Sequence, residues 1–110
     1  MRVLLSCGGK MSSSQLAEYI EDAAKKRNID DIKVDATSID AIEDDIQNAN
    51  YDLVLLAPQV SYRADYIRKE YLDSKNIPLK LIKGSLYNPI HANELLDDII
   101  KFKEKGEEQK

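Results

Sequence analysis

One cysteine stands in this chain of 110 residues, and its neighbours are the reason to begin with it. The order there is Cys7, Gly8, Gly9, Lys10, Met11, Ser12, Ser13, Ser14. A thiolate is a strong nucleophile and a thiol is not, so a cysteine does chemistry where nearby positive charge favours its ionised form. A glycine-bearing loop that runs into a helix brings several backbone N–H groups to one point, and the helix dipole adds partial positive charge there. Such a loop would hold an anion, phosphate above all. It would also bring the Cys7 thiol below the usual value of about 8.5. Lys10 either adds a full positive charge or is an ordinary solvated side chain, and the two readings stand even. The plain alternative makes Cys7 a small buried hydrophobe ending a strand, with the glycines as a turn and the serines as helix caps. Its position, with two glycines and three serines after it, favours the functional reading.

Such a loop works only if a strand and a helix hold it. Residues 3–6 and 53–57 are apolar runs too short for helices, and they read as strands buried on both faces. Residues 32–37, with Ile32, Val34 and Ala36 alternating with Lys33 and Asp35, and residues 78–82 are weaker strand candidates, the last an edge. Between them the period turns helical. Leu16, Ile20 and Ala24 form one stripe, capped by the serines and ending near Asn28. Ile39, Ile42 and Ile46 form a second, opened by Ser38 or Asp40. A third spans residues 62–72 with Ala64, Ile67 and Tyr71 inward, and a fourth carries Leu95, Leu96, Ile99, Ile100 and Phe102 after a start at His91 or Asn93.

Strand and helix alternating in this way predict an α/β fold: a single-domain three-layer sandwich with a four-stranded parallel sheet and a phosphate-binding loop after the first strand. The expected domain covers residues 1–105, and residues 106–110 form a polar tail. Ligands in such folds bind beyond the C-terminal ends of the strands where the winding reverses, so the residues after Ser6 and after Ala57 matter most.

The formal charge is −4, and a pI near 5.0 with no basic stripe argues against nucleic acid or an anionic membrane surface as main partner. The chain has no run long enough for a signal peptide or a membrane span, which predicts a cytoplasmic protein without direct membrane insertion. One cysteine excludes an internal disulfide.

The segment Val3, Leu4, Leu5, Ser6, Cys7 followed by Met11, Ser12, Ser13, Ser14 resembles the phosphocysteine loop of the lactose/cellobiose-type enzyme IIB of the bacterial sugar phosphotransferase system. The run from Asp52 through Leu53, Val54, Leu55, Leu56, Ala57, Pro58, Gln59, Val60 and Ser61 to Tyr62 is similar to that family's third strand and Pro-Gln loop. The resemblance covers residues 1–103. It implies that Cys7 accepts a phosphoryl group from a phosphohistidine of enzyme IIA and passes it to a sugar, a β-linked disaccharide such as cellobiose, bound by membrane-embedded enzyme IIC. It implies phosphate contacts from the amides of Gly8, Gly9, Lys10, Met11, Ser12, Ser13 and Ser14, with Pro58 and Gln59 as the adjacent loop and no metal or cofactor. Lys10 departs from the family's usual glycine, so any positive φ would fall to Gly8 or Gly9.

The alternative is a low-molecular-weight tyrosine phosphatase or arsenate-reductase-like cysteine enzyme, whose loop carries an arginine six residues after the cysteine to clamp phosphoryl oxygens. Here that position is Ser13. A receiver or flavodoxin-like binding module is disfavoured because carboxylates are lacking at Ser6, Cys7, Ala57 and Pro58. Asp30, Asp31, Glu43, Asp44 and Asp45 read as solvated faces. His91, the one histidine, has no orienting carboxylate that sequence alone places beside it, and reads as a cap or surface residue. Tyr62, Tyr66 and Tyr71 read as packing at the rim of the core. Tyr87 matches a tyrosine frequent in the family, with no assigned role.

Overall fold

A computed structural model describes residues 1–7 and 10–108, and within them all side chains except those of residues 10–13, 89 and 103–108. The chain begins with strand β1 (Arg2–Cys7), and only residues 8 and 9 separate it from helix α1 (Lys10–Lys26). Then come β2 (Lys33–Ser38), α2 (Ile42–Asn48) and β3 (Leu53–Leu56). A long helical passage follows, comprising a 3-10 segment (Pro58–Arg63), α3 (Ala64–Ile67), a π turn (Arg68–Leu72) and a 3-10 turn (Asp73–Lys75). Strand β4 (Leu79–Leu81), two short 3-10 turns (Gly84–Leu86 and Pro89–His91) and α4 (Ala92–Glu108) complete it.

The four strands are parallel in the order β2-β1-β3-β4. The winding therefore reverses between β1 and β3, whose C-terminal ends lead to Cys7 and to Ala57 with Pro58. Alternation along the strands sorts side chains into two cores. Val3, Leu5, Leu53 and Leu55 pack with Leu16, Ile20, Leu95, Leu96 and Ile99 from α1 and α4. Leu4, Val54 and Leu56 pack on the other face with Ile42 and Ile46 of α2 and with Val60, Ala64, Ile67 and Leu72.

Several boundaries differ from the sequence reading. The serines do not stand before the helix as expected, because α1 already begins at Lys10 and takes Ser12, Ser13 and Ser14 into its own turns. Its end is marked by Asn28, which takes φ 62° and lets Ile29 N–H reach back to Ala24 O at 2.8 Å. Neither Ser38 nor Asp40 caps α2: Ser38 finishes β2, its carbonyl accepts Ala41 N–H at 3.2 Å, and Ala41 precedes the helix without a side-chain cap. In the third helical passage the expected inner face fails at Tyr71. The π turn widens the winding by one residue, seen in the Asp73 N–H bond to Arg68 O, and Leu72 takes the buried place at 0 % exposure. Tyr71 sits half-buried beside it. Helix α4 opens at Ala92 and runs to Glu108, three residues into the segment expected as a polar tail.

Both edges of the sheet are guarded. β4 has three residues, and along β2 the outward Val34 N–H donates to the Glu21 side chain at 3.3 Å.

Candidate functional site

Central strand β1 is buried from Val3 onward and apolar but for Ser6, so whatever ends it is held rigidly from both sides. Cys7 is that last residue. Its carbonyl accepts Ile39 N–H at 2.9 Å, and the Ser6 carbonyl accepts Ala57 N–H at 2.9 Å. These two bonds tie the head of β1 to the exits of β2 and β3. Cys7 is 2 % exposed and its side chain lies in the core with Leu4, Ile39, Ala57 and Val60, not with Val3 and Leu5 as strict alternation would require.

The turn between β1 and α1 involves Gly8 and Gly9, which lie outside the described residues, as do the side chains of Lys10, Met11, Ser12 and Ser13. The backbone of residues 10–13 forms the first turn of α1. The first four N–H groups of an α-helix lack intrahelical acceptors, so a 17-residue helix starting three residues beyond Cys7 supplies donors and a positive dipole end at that point. Lys10 sits in this turn without backbone strain, since positive φ among described non-glycine residues occurs at Asn28 and Asn76.

The opposite wall follows β3. Ala57 is extended, Pro58 opens the 3-10 segment, and Val60, at φ −117° and ψ 17°, kinks it inward to a buried position. Gln59 is exposed on this wall. Arg63, at the end of the segment, pairs with Glu43 of α2 at 3.0 Å and lies over the Tyr66 ring at 5.5 Å. Of the three tyrosines expected at the rim, Tyr66 and Tyr71 do pack, edge to face with centroids 6.1 Å apart. Tyr62 does not: it is 75 % exposed, because the 3-10 segment turns it away from the core.

Sequence reasoning missed Ser6. It is fully buried, and among the described residues its Oγ has no hydrogen-bond partner. A buried hydroxyl left unpaired costs about 1–3 kcal/mol, which an apolar residue would not incur. A single polar residue inside an otherwise apolar strand, next to the cysteine, was the available signal.

The other candidates are placed elsewhere. His91 does have a carboxylate beside it, Glu94 at 3.0 Å across the first turn of α4, and no described contact brings it to Cys7. Tyr87 is half-buried and packs against both cores. A cavity of about 400 Å³ runs along β2, lined among others by Ser14, Glu18, Glu21, Asp35 and Asp45, and its carboxylates suit it poorly to an anion. Among the described residues no helix is long and apolar enough to cross a membrane.

Comparison with known proteins agrees with this architecture. The model of the family described as "PTS system, Lactose/Cellobiose specific IIB subunit" matches residues 2–98. The fold is similar to that of the lactose-specific IIB component domain of the phosphotransferase system from Streptococcus pneumoniae, with TM-score 0.80 and 24 % identity over 93 % of this chain and 96 % of that one. It is also similar to the solution structure of a cellobiose-specific phosphotransferase IIB component from Borrelia burgdorferi, with TM-score 0.70 and 29 % identity over 93 % of this chain and 90 % of that one. No curated protein matches the chain.

Proposed function

This chain belongs to the lactose/cellobiose-specific IIB family of the sugar phosphotransferase system, and we propose that within that system it is the phosphoryl carrier whose acceptor atom is the Cys7 sulfur. Membership makes it a sugar phosphotransferase component that works with IIA and IIC components. The finer reading is that the Cys7 thiolate attacks a phosphohistidine of enzyme IIA. The N–P bond breaks with its electron pair returning to the imidazole, and an S–P bond forms. A hydroxyl of the sugar held by enzyme IIC then attacks the same phosphorus, loses its proton, and releases the thiolate. The sugar is a β-linked disaccharide such as cellobiose.

The observation that carries this reading is the join of the central strand to α1. The sulfur ends β1 at the winding reversal, and the first-turn amides of residues 10–13 begin three residues later. Phosphoryl transfer asks the protein mainly for positioning and for preorganised positive charge on the equatorial oxygens, and amides at a helix start provide both. Gly8, Gly9 and Ser14 complete the proposed cradle, and Pro58 and Gln59 form the wall against which a partner docks. The domain works in the cytoplasm, between the donor and the membrane transporter. At 2 % exposure the sulfur is covered, so transfer requires a local opening at this junction.

The test is to mix the protein with a phosphorylated enzyme IIA and locate the phosphoryl group by mass spectrometry. One group on the peptide containing Cys7 is expected. A group on His91, or none with a cognate donor, overturns the proposal. Steady turnover of p-nitrophenyl phosphate through Cys7 would instead identify a phosphatase.

A further inference from the structure

The residue before the cysteine carries the one buried side-chain oxygen or nitrogen without a partner among the described residues. Ser6 pairs in register with Thr37 of β2 and Leu56 of β3, and it shares a strand face with Leu4 by alternation. That face is the one covered by α2 and the Pro58–Arg63 segment, since Leu4 and Leu56 both pack there. Cys7 should point the other way and does not, because its side chain packs with Leu4, Ile39 and Val60. Two consecutive side chains, a hydroxyl and a thiol, are thus turned toward the same layer at the head of the central strand.

We propose that Ser6 is a positioning residue for Cys7, its hydroxyl turning about χ1 to donate a hydrogen bond to the sulfur once the thiol has ionised. The thiol is a weak acceptor and the thiolate a strong one, so the bond belongs to the charged form. The thiol proton leaves to solvent, and Ser6 keeps its own. Serine can make this change at little cost, having a single side-chain torsion and no bond to break. The hydroxyl then favours the nucleophilic form before transfer and holds the sulfur toward the amides at the start of α1. This inference rests on Cys7 being the carrier sulfur.

The charged residues on the elements around Cys7 include Arg2 at the far end of β1, Lys10 at the head of α1, Asp40 before α2, Glu43, Asp44 and Asp45 in its first turn, and Arg63, which pairs with Glu43 at 3.0 Å. Exchange of Ser6 for alanine alters none of them. The rate of iodoacetamide alkylation of Cys7 against pH, together with thermal melting, separates the possibilities. Ser6→Ala is expected to move the alkylation midpoint upward by about one pH unit while the melting temperature holds or rises, because an unpaired hydroxyl has gone. Ser6→Thr, which keeps the hydroxyl, should return the midpoint to the wild-type value. An unchanged midpoint with a lower melting temperature would mean that Ser6 is structural, and overturns the proposal. Alkylation needs no phosphoryl donor, so a failure of the carrier reading would show in the labelling experiment and not here.

Discussion

At the foot of β1, Arg2 donates from its backbone to Asp52 at 2.8 Å and from its guanidinium to Asp35 at 3.0 Å, and it lies 4.9 Å over the Tyr51 ring. Tyr51 in turn donates its hydroxyl to the same Asp35 carboxylate at 2.9 Å. At the head of the same strand, Ser6 is buried with its hydroxyl unmatched among the described residues, and Cys7 departs from the alternation of its neighbours. One end spends polar groups on each other; at the other, the Ser6 hydroxyl has no partner among the described residues. Function at a strand end needs groups whose partners arrive later, and stability needs groups already paired, so a single strand serves both by dividing them between its ends.

Breaking each end in turn should separate the two roles. The largest effect expected is at the head: Cys7→Ser abolishes phosphoryl capture from enzyme IIA while thermal melting shifts little, as judged by labelling and calorimetry. Next comes the foot. Tyr51→Phe keeps the ring under Arg2 and removes one hydroxyl-to-carboxylate bond, so denaturant unfolding should show a loss of about 1–2 kcal/mol, with Cys7 alkylation unmoved. A shift in that alkylation would show that the two ends are coupled. A pH scan sharpens the same contrast. The Tyr51 hydroxyl is pushed up to about 12 from its usual 10.0, by burial first and by the Asp35 hydrogen bond second. The folded chain therefore holds this proton more tightly than the unfolded chain does. The resulting stability is whole below pH 10 and fades as the pH rises toward 12. Tyr51→Phe should lose that alkaline step. The smallest effect is expected from Glu43→Gln, which removes the half-exposed pair with Arg63 and should cost less than about 1 kcal/mol.

Much of this was legible in the chain itself, for reasons that can be stated residue by residue. The isoleucines at 42 and 46 announced α2 because burial follows helical spacing whatever the cap, while Ile39, expected on the same stripe, is buried in the turn before the helix. The cap itself was not legible, since Ser38 is as suitable for ending a strand as for starting a helix. The π turn escaped because periodicity assumes a constant winding, and one added residue exchanges Tyr71 for Leu72 without altering composition. The join of β1 to α1 was visible in Cys7, Gly8 and Gly9. The partnership of His91 with Glu94 was available at a spacing of three residues, which a helix start brings together. Ser6 was hidden because a hydroxyl without a partner among the described residues is a product of burial between two neighbouring strands, which local order does not reveal.

The Glu21 side chain on the β2 edge has one more implication. An exposed edge invites another strand, and chains that pair through their edges are on the way to aggregates. Glu21 fills the outward Val34 N–H and brings a negative charge to the place where a foreign backbone would dock, while β4 is too short to template one on the far side. Both flanks are closed in this way to strand addition, and the head of β1, where Cys7 lies, is not part of either edge.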